Sequence, residues 1–391
     1  MRRDRLRVGI DARALCGRFT GDRTYWLHLI AALLQRAERG EDGCPDYHLY
    51  TRMPIPDGLL SVASSVIVHV VPSANDRLWT LVAWPRALRA AGIDVAHTQY
   101  TVPVRPPCPV VTTIHDISFR LHPPWFPLRD RLLLNLTVPI ALRQASRVLT
   151  VSESSRRDIL RTYRCATGTV VATPLAAGPA YQPVLQETAR ALVKERWSLA
   201  DPYLLSVGVL QPRKNLGLLV EAYARARQDY GLTAPLVLTG KRGWGYESLV
   251  GAVSRLGIGP HVVLTDYVHD EDMPALYSAA SALAYPSLYE GFGLPPLEAM
   301  ACGCPALVSD APAMPEVAGE AGWVLPAREP GPWAQAMASI SSDAALRQVW
   351  SARGRRRSGD FRWDRTAALT AQVYADAVAG RASSTSVQGG R

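Results

Sequence analysis

The chain has 391 residues, 48% of them hydrophobic and 20% charged, with a formal net charge of +9. This length and composition predict a soluble globular protein of about two domains. The longest apolar stretch, residues 132–142, is interrupted by Asn135, Thr137 and Pro139 and is too short to cross a bilayer. The amino terminus has no apolar core of the kind found in signal peptides. We therefore expect a cytoplasmic protein.

The basic charge has more than one interpretation. The arginines are dispersed and no helix-turn-helix, zinc-finger or RNA-binding signature is present, so we predict no nucleic-acid partner. The charge fits an arginine-rich proteome, and it also fits attraction to polyphosphates or to an anionic membrane surface. The six cysteines lack zinc-finger and redox spacing, and we expect reduced, mostly buried thiols.

Short β-rich runs alternate with amphipathic segments along the first half of the chain. Strands are predicted at residues 6–10, 47–51, 66–71, 93–97, 110–114, 147–151 and 170–173. Helices are predicted at residues 25–36, 132–146 and 153–163, with Ser152 as the N-cap of the last. This alternation predicts a parallel sheet covered by helices.

A second cycle follows residues 175–183, a linker rich in proline and small side chains. Strands are predicted at residues 203–207, 235–239, 262–265, 282–285 and 306–309. Helices are predicted at residues 216–228, 246–256 and 273–279. The second half therefore repeats the alternation of the first.

The predicted fold class is α/β, with two Rossmann-like domains at residues 1–180 and 181–365. Residues 366–380 are predicted to form a helix that returns to the first domain, and residues 381–391 a disordered tail. Ligands of such sheets bind beyond the carboxyl ends of the strands. We therefore expect a site in a cleft where the two domains face each other.

Residues 289–298 read Tyr-Glu-Gly-Phe-Gly-Leu-Pro-Pro-Leu-Glu and place Glu290 and Glu298 on either side of a glycine-containing loop. Gly291 and Gly293 let the backbone approach a ligand closely, and the two prolines suit the first turn of a helix. Amides at a helix N-terminus bind diphosphate, and carboxylates accept hydrogen bonds from hydroxyls. This combination indicates a nucleotide-sugar site. The alternative is a solvated Glu290 with Glu298 as a first-turn helix acid.

With this motif in its second half, the chain resembles the family 4 retaining glycosyltransferases of GT-B architecture over roughly residues 6–370. The resemblance implies that Glu290 contacts the donor sugar ring and Glu298 the ribose. It also implies that the loop meets the sugar and the diphosphate through Gly291, Phe292, Gly293 and Leu294.

Residues 206–215 resemble the family's loop whose cations neutralise the donor diphosphate, and Arg213 and Lys214 match them. Many members place the arginine directly after the glycine, where this chain has Val209. Lys214 is our first choice for the main role, and both side chains can reach one diphosphate only if the loop turns there. The alternative is a basic helix entry without a ligand.

In the first half, His115 and Asp116 end an apolar strand and resemble the family's His-Asp pair, whose histidine meets the donor sugar. Asp116 could orient that histidine or contact the acceptor, and Tyr100 is a second acceptor candidate. Gly17 and Gly21 resemble the family's first glycine loop, which approaches the diphosphate, although the second small residue of the usual pattern is missing here.

The ends of two further strands resemble the family's nucleobase pocket, with the candidates Gly240, Lys241, Tyr267 and Val268. Ordinary turn and core residues are the alternative. Trp79, Trp84, Trp125, Phe126 and the leucines from residue 132 lie among arginines. Such a mixture suits a membrane surface carrying a lipid-linked acceptor, and it also suits a core covered by solvated arginines.

The resemblance implies a retaining transferase of polysaccharide or glycolipid assembly that moves a sugar from a GDP- or UDP-sugar. The sub-type looks like mannosyl- or rhamnosyltransferases, and mannose from GDP-mannose is the best guess. The acceptor would be a glycan or a lipid-linked glycan, which predicts a peripheral place at the inner face of the membrane. No Asp-x-Asp motif is placed to bridge a diphosphate, so we predict no metal and no cofactor. A nucleotide-sugar epimerase and a non-catalytic binding subunit are the alternatives.

Overall fold

The computed structural model describes residues 5–17, 21–41, 43–60, 66–199 and 202–388, with side chains up to residue 380. The chain forms two compact units. Unit 1 comprises Met1–Leu175 and Arg362–Arg391, and unit 2 comprises Ala176–Phe361. The C-terminal segment therefore belongs to the same unit as the N-terminus.

Unit 1 contains a seven-stranded sheet in which every pairing is parallel. Its strands are β1 (Arg7–Asp11), β2 (Asp46–Thr51), β3 (Val66–Val70), β4 (Val95–Gln99), β5 (Val110–Thr113), β6 (Arg147–Thr150) and β7 (Val170–Ala172). Their order across the sheet is β3-β2-β1-β4-β5-β6-β7. The central strands are buried on both faces, as expected for apolar runs in a parallel sheet.

The helices of unit 1 cover this sheet. They are α1 (Gly21–Glu38), α2 (Asp76–Leu78), α3 (Trp84–Ala90), α4 (Ser118–Leu121), α5 (Leu128–Gln144) and α6 (Glu153–Tyr163), with a π-helical turn at Trp79–Ala83. The Ser152 side chain accepts the amide of Ser155, so the predicted N-cap of α6 is confirmed.

Unit 2 contains a six-stranded parallel sheet with the order β10-β9-β8-β11-β12-β13. The strands are β8 (Leu204–Val207), β9 (Leu236–Thr239), β10 (Val262–Asp266), β11 (Ala282–Tyr285), β12 (Ala306–Ser309) and β13 (Trp323–Leu325). The helices are α7 (Gln186–Trp197), α8 (Leu216–Tyr230), α9 (Tyr246–Arg255), α10 (Met273–Ala279), α11 (Leu294–Ala301), α12 (Met314–Ala318), α13 (Pro330–Ser342) and α14 (Ala344–Ser358).

The final helix, α15 (Trp363–Gln388), returns to unit 1 and packs against α1. The helical backbone enters the segment predicted to be a disordered tail and ends at Gln388. Residues 389–391 of that predicted tail lie outside the described residues.

The order of both sheets reverses at their middle, between β1 and β4 in unit 1 and between β8 and β11 in unit 2. Loops that leave such neighbouring strands run in opposite directions and open a crevice at the carboxyl edge of the sheet. The fold thus places the loops after β8 and β11 beside each other, and likewise those after β1 and β4.

Two of the predicted membrane-facing aromatic residues lie in the core. Trp79 and Trp84 are fully buried and stack on each other at 5.2 Å between ring centroids, so the membrane interpretation is wrong for them. No helix in the described part of the chain combines the length and hydrophobicity that crossing a bilayer requires.

Candidate functional site

Two glycines let the loops after β8 and β9 run side by side beyond the sheet of unit 2. Gly208 and Gly240 have φ angles of +135° and +142°, a region open almost only to glycine. A Cβ atom on Gly240 would lie 2.0 Å from the carbonyl oxygen of Gly208. The amide of Leu210 donates to the carbonyl of Lys241 at 2.9 Å. Gly240 is therefore required by close backbone contact.

The loop after β8 turns at Arg213 and Lys214, as it must if these adjacent side chains are to reach one ligand. Pro212–Lys214 form a 3-10 turn, and Asn215 follows with a φ of +56°. The Asn215 amide group donates to the carbonyls of Pro286, at 3.1 Å, and Ala327, at 2.7 Å. These bonds fix the loop after β8 against the loops after β11 and β13.

Glu290 is the residue on which this loop converges, and its side chain is 10% exposed. Its Oε1 accepts hydrogen bonds from Lys214 Nζ at 2.7 Å, Ser287 Oγ at 2.6 Å and Tyr285 OH at 3.0 Å. Its Oε2 accepts from Arg213 Nη1 at 2.8 Å. Glu290 is therefore not the solvated charge of the alternative interpretation, and Lys214 and Arg213 reach one group despite being adjacent in sequence.

The charges at this cluster keep Glu290 ionised. Burial raises the pKa of Glu290, but the charges of Arg213 and Lys214 and the hydrogen bonds from Lys214 and Ser287 outweigh it and bring the pKa to about 2. Lys214 also donates to Tyr285 OH, and its Nζ lies 4.6 Å from the centroid of the Tyr285 ring. Two cations against one carboxylate leave a net positive charge that suits an anionic ligand.

The loop after β11 enters α11 through Gly293, whose φ is +117°. A Cβ atom there would lie 2.4 Å from the terminal methyl of Met314. Leu294 begins α11, and Glu298 lies in its second turn rather than its first. The loop residues Gly291 and Phe292 are buried together with the motif glutamates.

Glu298 differs from Glu290 in its electrostatic surroundings. Burial raises its pKa to about 7, and nearby Asp270 adds to the rise, against hydrogen bonds from Tyr277 and Tyr181 that lower it. The Tyr277 hydroxyl donates to Glu298 Oε2 at 3.1 Å. The pKa of Glu290 is therefore about 2 and that of Glu298 about 7, although only eight positions separate the two residues.

The predicted nucleobase residues divide into exposed and buried members. Lys241 Nζ lies 4.8 Å from the centroid of the Tyr267 ring, and Tyr267 is 37% exposed. Val268 is packed in the core of unit 2. Arg242 and Asp266 form a two-pronged ion pair beside them, at 2.8 and 3.1 Å.

In unit 1, His115 is the last member of a series of hydrogen-bonded side chains that was not predicted from the sequence, named here the Trp26–Gln99–His115 relay. The Trp26 indole donates to Gln99 Oε1 at 2.8 Å, and Gln99 Nε2 lies 2.5 Å from His115 Nε2. Since an indole only donates, Gln99 must present its NH2 group to His115. The Nε2 atom of a neutral His115 is therefore an acceptor, and the ring proton lies on Nδ1.

Burial also holds His115 neutral. It lowers the pKa of His115, against the carboxylates of Asp22 and Asp116, which raise it. The Asp22 carboxylate lies 3.5 Å from His115 Nε2, and the Tyr25 ring meets the imidazole edge-on at 4.8 Å.

A second buried histidine, His97, links α15 to the same region. Its Nδ1 lies 2.7 Å from the Tyr374 hydroxyl, and its Nε2 lies 2.8 Å from Thr113 Oγ1. Thr113 in turn meets the Tyr25 hydroxyl at 2.9 Å. Burial lowers the pKa of His97 to about 3, so this chain of hydrogen bonds is neutral.

The acceptor candidates have structural contacts of their own. Asp116 Oδ1 accepts the amide of Ser118 at 2.8 Å and its hydroxyl at 2.5 Å, at the start of α4. Tyr100 has a φ of +54°, rare for a large side chain, and burial raises the pKa of its hydroxyl. Strain of this kind clusters at functional sites.

The first glycine loop is described only at its ends. The amide of Gly17 bonds to the carbonyl of Ala14 at 3.1 Å, and Gly21 begins α1. A Cβ atom on Gly21 would meet nothing within 4 Å. Residues 18–20, between them, lie outside the described residues.

The sequence did not single out several of the residues that contact these side chains, among them Tyr285, Ser287, Gln99 and Trp26. Tyr285 and Ser287 precede the motif by only a few positions, and their hydroxyls could have been flagged as partners for a buried carboxylate. Gln99 and Trp26 carry no such signal. Among the described residues, no cluster of three or more histidine, cysteine, aspartate or glutamate side chains could hold a metal ion.

Comparison with known proteins agrees with this architecture. The profile of Glycosyl transferases group 1 matches residues 189–357, and that of Glycosyltransferase Family 4 matches residues 41–175. The O-antigen chain mannosyltransferase B of Escherichia coli is 36% identical over 267 residues, which are 68% of this chain and 69% of that protein.

Solved structures of similar fold cover nearly the whole chain. Sucrose-phosphate synthase from Thermosynechococcus elongatus has a TM-score of 0.73 at 22% identity, over 96% of this chain and 100% of that one. Anabaena HepE, solved in complex with UDP and glucose, has a TM-score of 0.70 at 16% identity, over 95% and 100%. The fold is the GT-B fold of two Rossmann-like domains. The chain belongs to the family 4, group 1 glycosyltransferases.

Proposed function

We propose that this glycosyltransferase is a retaining mannosyltransferase whose donor is GDP-mannose. The observation that carries the proposal is the buried cluster of Glu290, Lys214 and Arg213 at the middle of the sheet in unit 2. The similarity to an O-antigen mannosyltransferase favours mannose. The neighbour solved with UDP and glucose favours a nucleotide-sugar donor.

The two cations act on the leaving group. When the bond between the anomeric carbon and the diphosphate oxygen breaks, that oxygen gains negative charge. Arg213 and Lys214 carry the net positive charge of the cluster and stabilise the transition state more than the bound donor. The acceptor oxygen attacks the same face of the sugar, and its proton passes to the departing phosphate oxygen.

The remaining candidates bind and orient the donor. Glu290 accepts hydrogen bonds from hydroxyls of the mannose ring while it holds both cations in place. Glu298 accepts hydrogen bonds from the ribose hydroxyls. The backbone of residues 291–294 holds the sugar and diphosphate. Gly240, Lys241, Tyr267 and Val268 border the nucleobase, with Val268 contributing through its backbone because its side chain is buried.

The unit 1 candidates meet the sugar and the acceptor. A neutral His115, whose Nε2 already accepts from Gln99, can donate one hydrogen bond from Nδ1 to a sugar hydroxyl. Gly17 and Gly21 approach the diphosphate, and Asp116 and Tyr100 contact the acceptor. That acceptor is a growing glycan or its lipid-linked form, which brings the enzyme to the cytoplasmic face of the inner membrane.

We also propose that the reaction needs no metal, because protein cations carry the diphosphate charge. Transfer by the purified protein should then persist in excess EDTA at the rate seen without it. Loss of transfer in EDTA, restored by a divalent cation, would refute this part of the proposal.

The decisive assay offers radiolabelled GDP-mannose, UDP-glucose and ADP-glucose to the full chain, each with and without a soluble mannosyl acceptor. We expect an α-mannoside from GDP-mannose only, and only with the acceptor present. An inverted product would contradict retention. Donor isomerisation without an acceptor would show an epimerase, and tight donor binding without turnover across glycan acceptors would show a binding subunit.

A further inference from the structure

The helix α5 exposes a stripe of large apolar side chains. Its members, named here the leucine stripe, are between 40% and 63% exposed: Leu128, Leu132, Leu133, Leu136 and Ile140. At about 100° per residue, they fall within an arc of about 140° on one side of the helix. Such a contiguous apolar surface is unusual on a protein surrounded by water.

The opposite side of α5 already contributes to the core of unit 1. Val138, Ala141 and Leu142 are buried there, and Leu134 packs against the same core. The helix therefore carries large apolar side chains on two opposite sides, one buried in the core and one exposed. A surface helix normally turns a polar face to water, so packing within the protein does not explain the leucine stripe.

Arginines stand at both ends of the stripe. Arg129 and Arg143 are exposed, and by helical geometry both fall within the arc of the leucine stripe. Within the described residues, no carboxylate forms an ion pair with Arg129, Arg131 or Arg143. Asp130 is the only acidic residue of α5.

We propose that the leucine stripe docks on an anionic lipid bilayer, its leucines entering the headgroup region and its arginines meeting lipid phosphates. Long arginine side chains can place their charge at the headgroups while their stems lie along the apolar surface. Each such arginine strengthens attraction to an anionic leaflet. This docking rests on the proposed function in one respect. A lipid-linked acceptor lies in a membrane, and no helix among the described residues could anchor the enzyme there.

The test is sedimentation of the purified full chain with vesicles of phosphatidylglycerol and phosphatidylcholine, and of phosphatidylcholine alone. We expect binding to the anionic vesicles that weakens at least about tenfold in Leu132→Gln/Leu136→Gln, because burial of each leucine drives insertion. Arg129→Gln/Arg143→Gln should abolish the preference for anionic over neutral vesicles. Leu185→Gln/Val349→Gln is the matched control, because both side chains are exposed, at 80% and 47%, in unit 2.

Equal vesicle binding by the stripe variant and the control would overturn the proposal. So would a wild-type dimer that the stripe substitutions convert to a monomer while vesicle binding stays unchanged, since the stripe would then be a protein interface. Transfer to a water-soluble acceptor, measured in parallel, should be unchanged by the stripe substitutions. Vesicle binding by a wild-type protein that transfers no mannose would reject the proposed function and leave this surface assigned.

Discussion

At the scale of single residues, Glu290 joins stability to function. Its largely buried carboxylate forms ion pairs with the ammonium of Lys214 and with one guanidinium nitrogen of Arg213. The sequence alone suggests that Glu290→Ala would cost activity far more than stability. The structure changes this expectation, because removing one member of a buried ion pair leaves the other charge without compensation.

We predict that Glu290→Gln and Lys214→Met each lower the free energy of unfolding by about 3 kcal/mol. The double variant should be less destabilised than the sum of the two, because it removes the Lys214 ammonium together with the carboxylate that pairs with it. Urea unfolding of the four proteins gives the coupling directly. Additive losses would mean that the ion pair does not exist in solution.

Glu298 makes the second prediction, which concerns pH. Its pKa is about 7 in the folded protein, against an ordinary value of 4.5. The folded state therefore holds more protons between these values, and the Glu298 contribution to stability falls as pH rises from 4.5 to 7, by about 3 kcal/mol. Above pH 7 the contribution is constant.

Glu298→Gln cannot ionise, so its stability relative to the wild type should rise across the same interval. Melting temperatures of both proteins from pH 5 to pH 8 measure the difference. A constant difference between the two proteins would show that Glu298 titrates at its ordinary pKa.

The third prediction concerns the tautomer of His115. Nitrogen-15 NMR should show a neutral ring protonated at Nδ1, because Gln99 donates to Nε2. In Gln99→Leu that donor is absent and the Asp22 carboxylate remains nearby, so the pKa of His115 should rise. Protonation at Nε2 in the wild type, or an unchanged pKa in the variant, would contradict the relay.

At the scale of elements, the entry to α11 depends on one backbone conformation. We predict that Gly293→Ala costs about 2 kcal/mol, because its φ of +117° strains any residue with a Cβ atom. The Met314 methyl can move aside, whereas the backbone strain remains. Gly331→Ala is the control, since a Cβ atom there meets nothing within 4 Å in helix α13.

Gly293→Ala should also weaken donor binding, measured by calorimetry, and Gly331→Ala should not. A Gly293→Ala protein with wild-type melting temperature and affinity would show that the loop does not hold the described conformation.

The helices and strands that could be predicted are those with a clear pattern in the sequence. Strands β1 to β12 and the helices α6, α8, α9 and α10 lie within one or two residues of their predicted bounds, because continuous apolar runs, amphipathic patterns and an N-cap serine mark them. The short strand β13 was not predicted. The segment from α2 to α3 was not predicted. It contains a π-helical turn and two core tryptophans, and its hydrophobic residues follow neither the helical nor the strand period.

The candidate site was predictable in its parts but not in its contacts. Gly208 and Gly240 touch through a backbone approach between distant parts of the sequence, and the convergence of Arg213 and Lys214 on Glu290 depends on a 3-10 turn closed by Asn215. The Trp26–Gln99–His115 relay joins three elements. Only tertiary structure brings such groups together.

At the scale of the whole molecule, two sheets of the same order carry different chemistry at their middle. Unit 2 gathers a net positive cluster around a buried carboxylate, whereas unit 1 gathers neutral histidines. The net positive cluster of unit 2 suits the diphosphate of the proposed donor. The difference between the two units is also what a shared fold with separately evolved sites would produce.

We propose that the Glu290–Lys214–Arg213 cluster of this chain drives mannosyl transfer from GDP-mannose. The most direct measurement is the transfer rate of Lys214→Met/Glu290→Gln under conditions where circular dichroism shows it fully folded. We expect the folded double variant to lose at least about 99% of wild-type transfer, because the leaving diphosphate has lost a fixed cation and the sugar its carboxylate. Transfer at the wild-type rate by the folded double variant would contradict it.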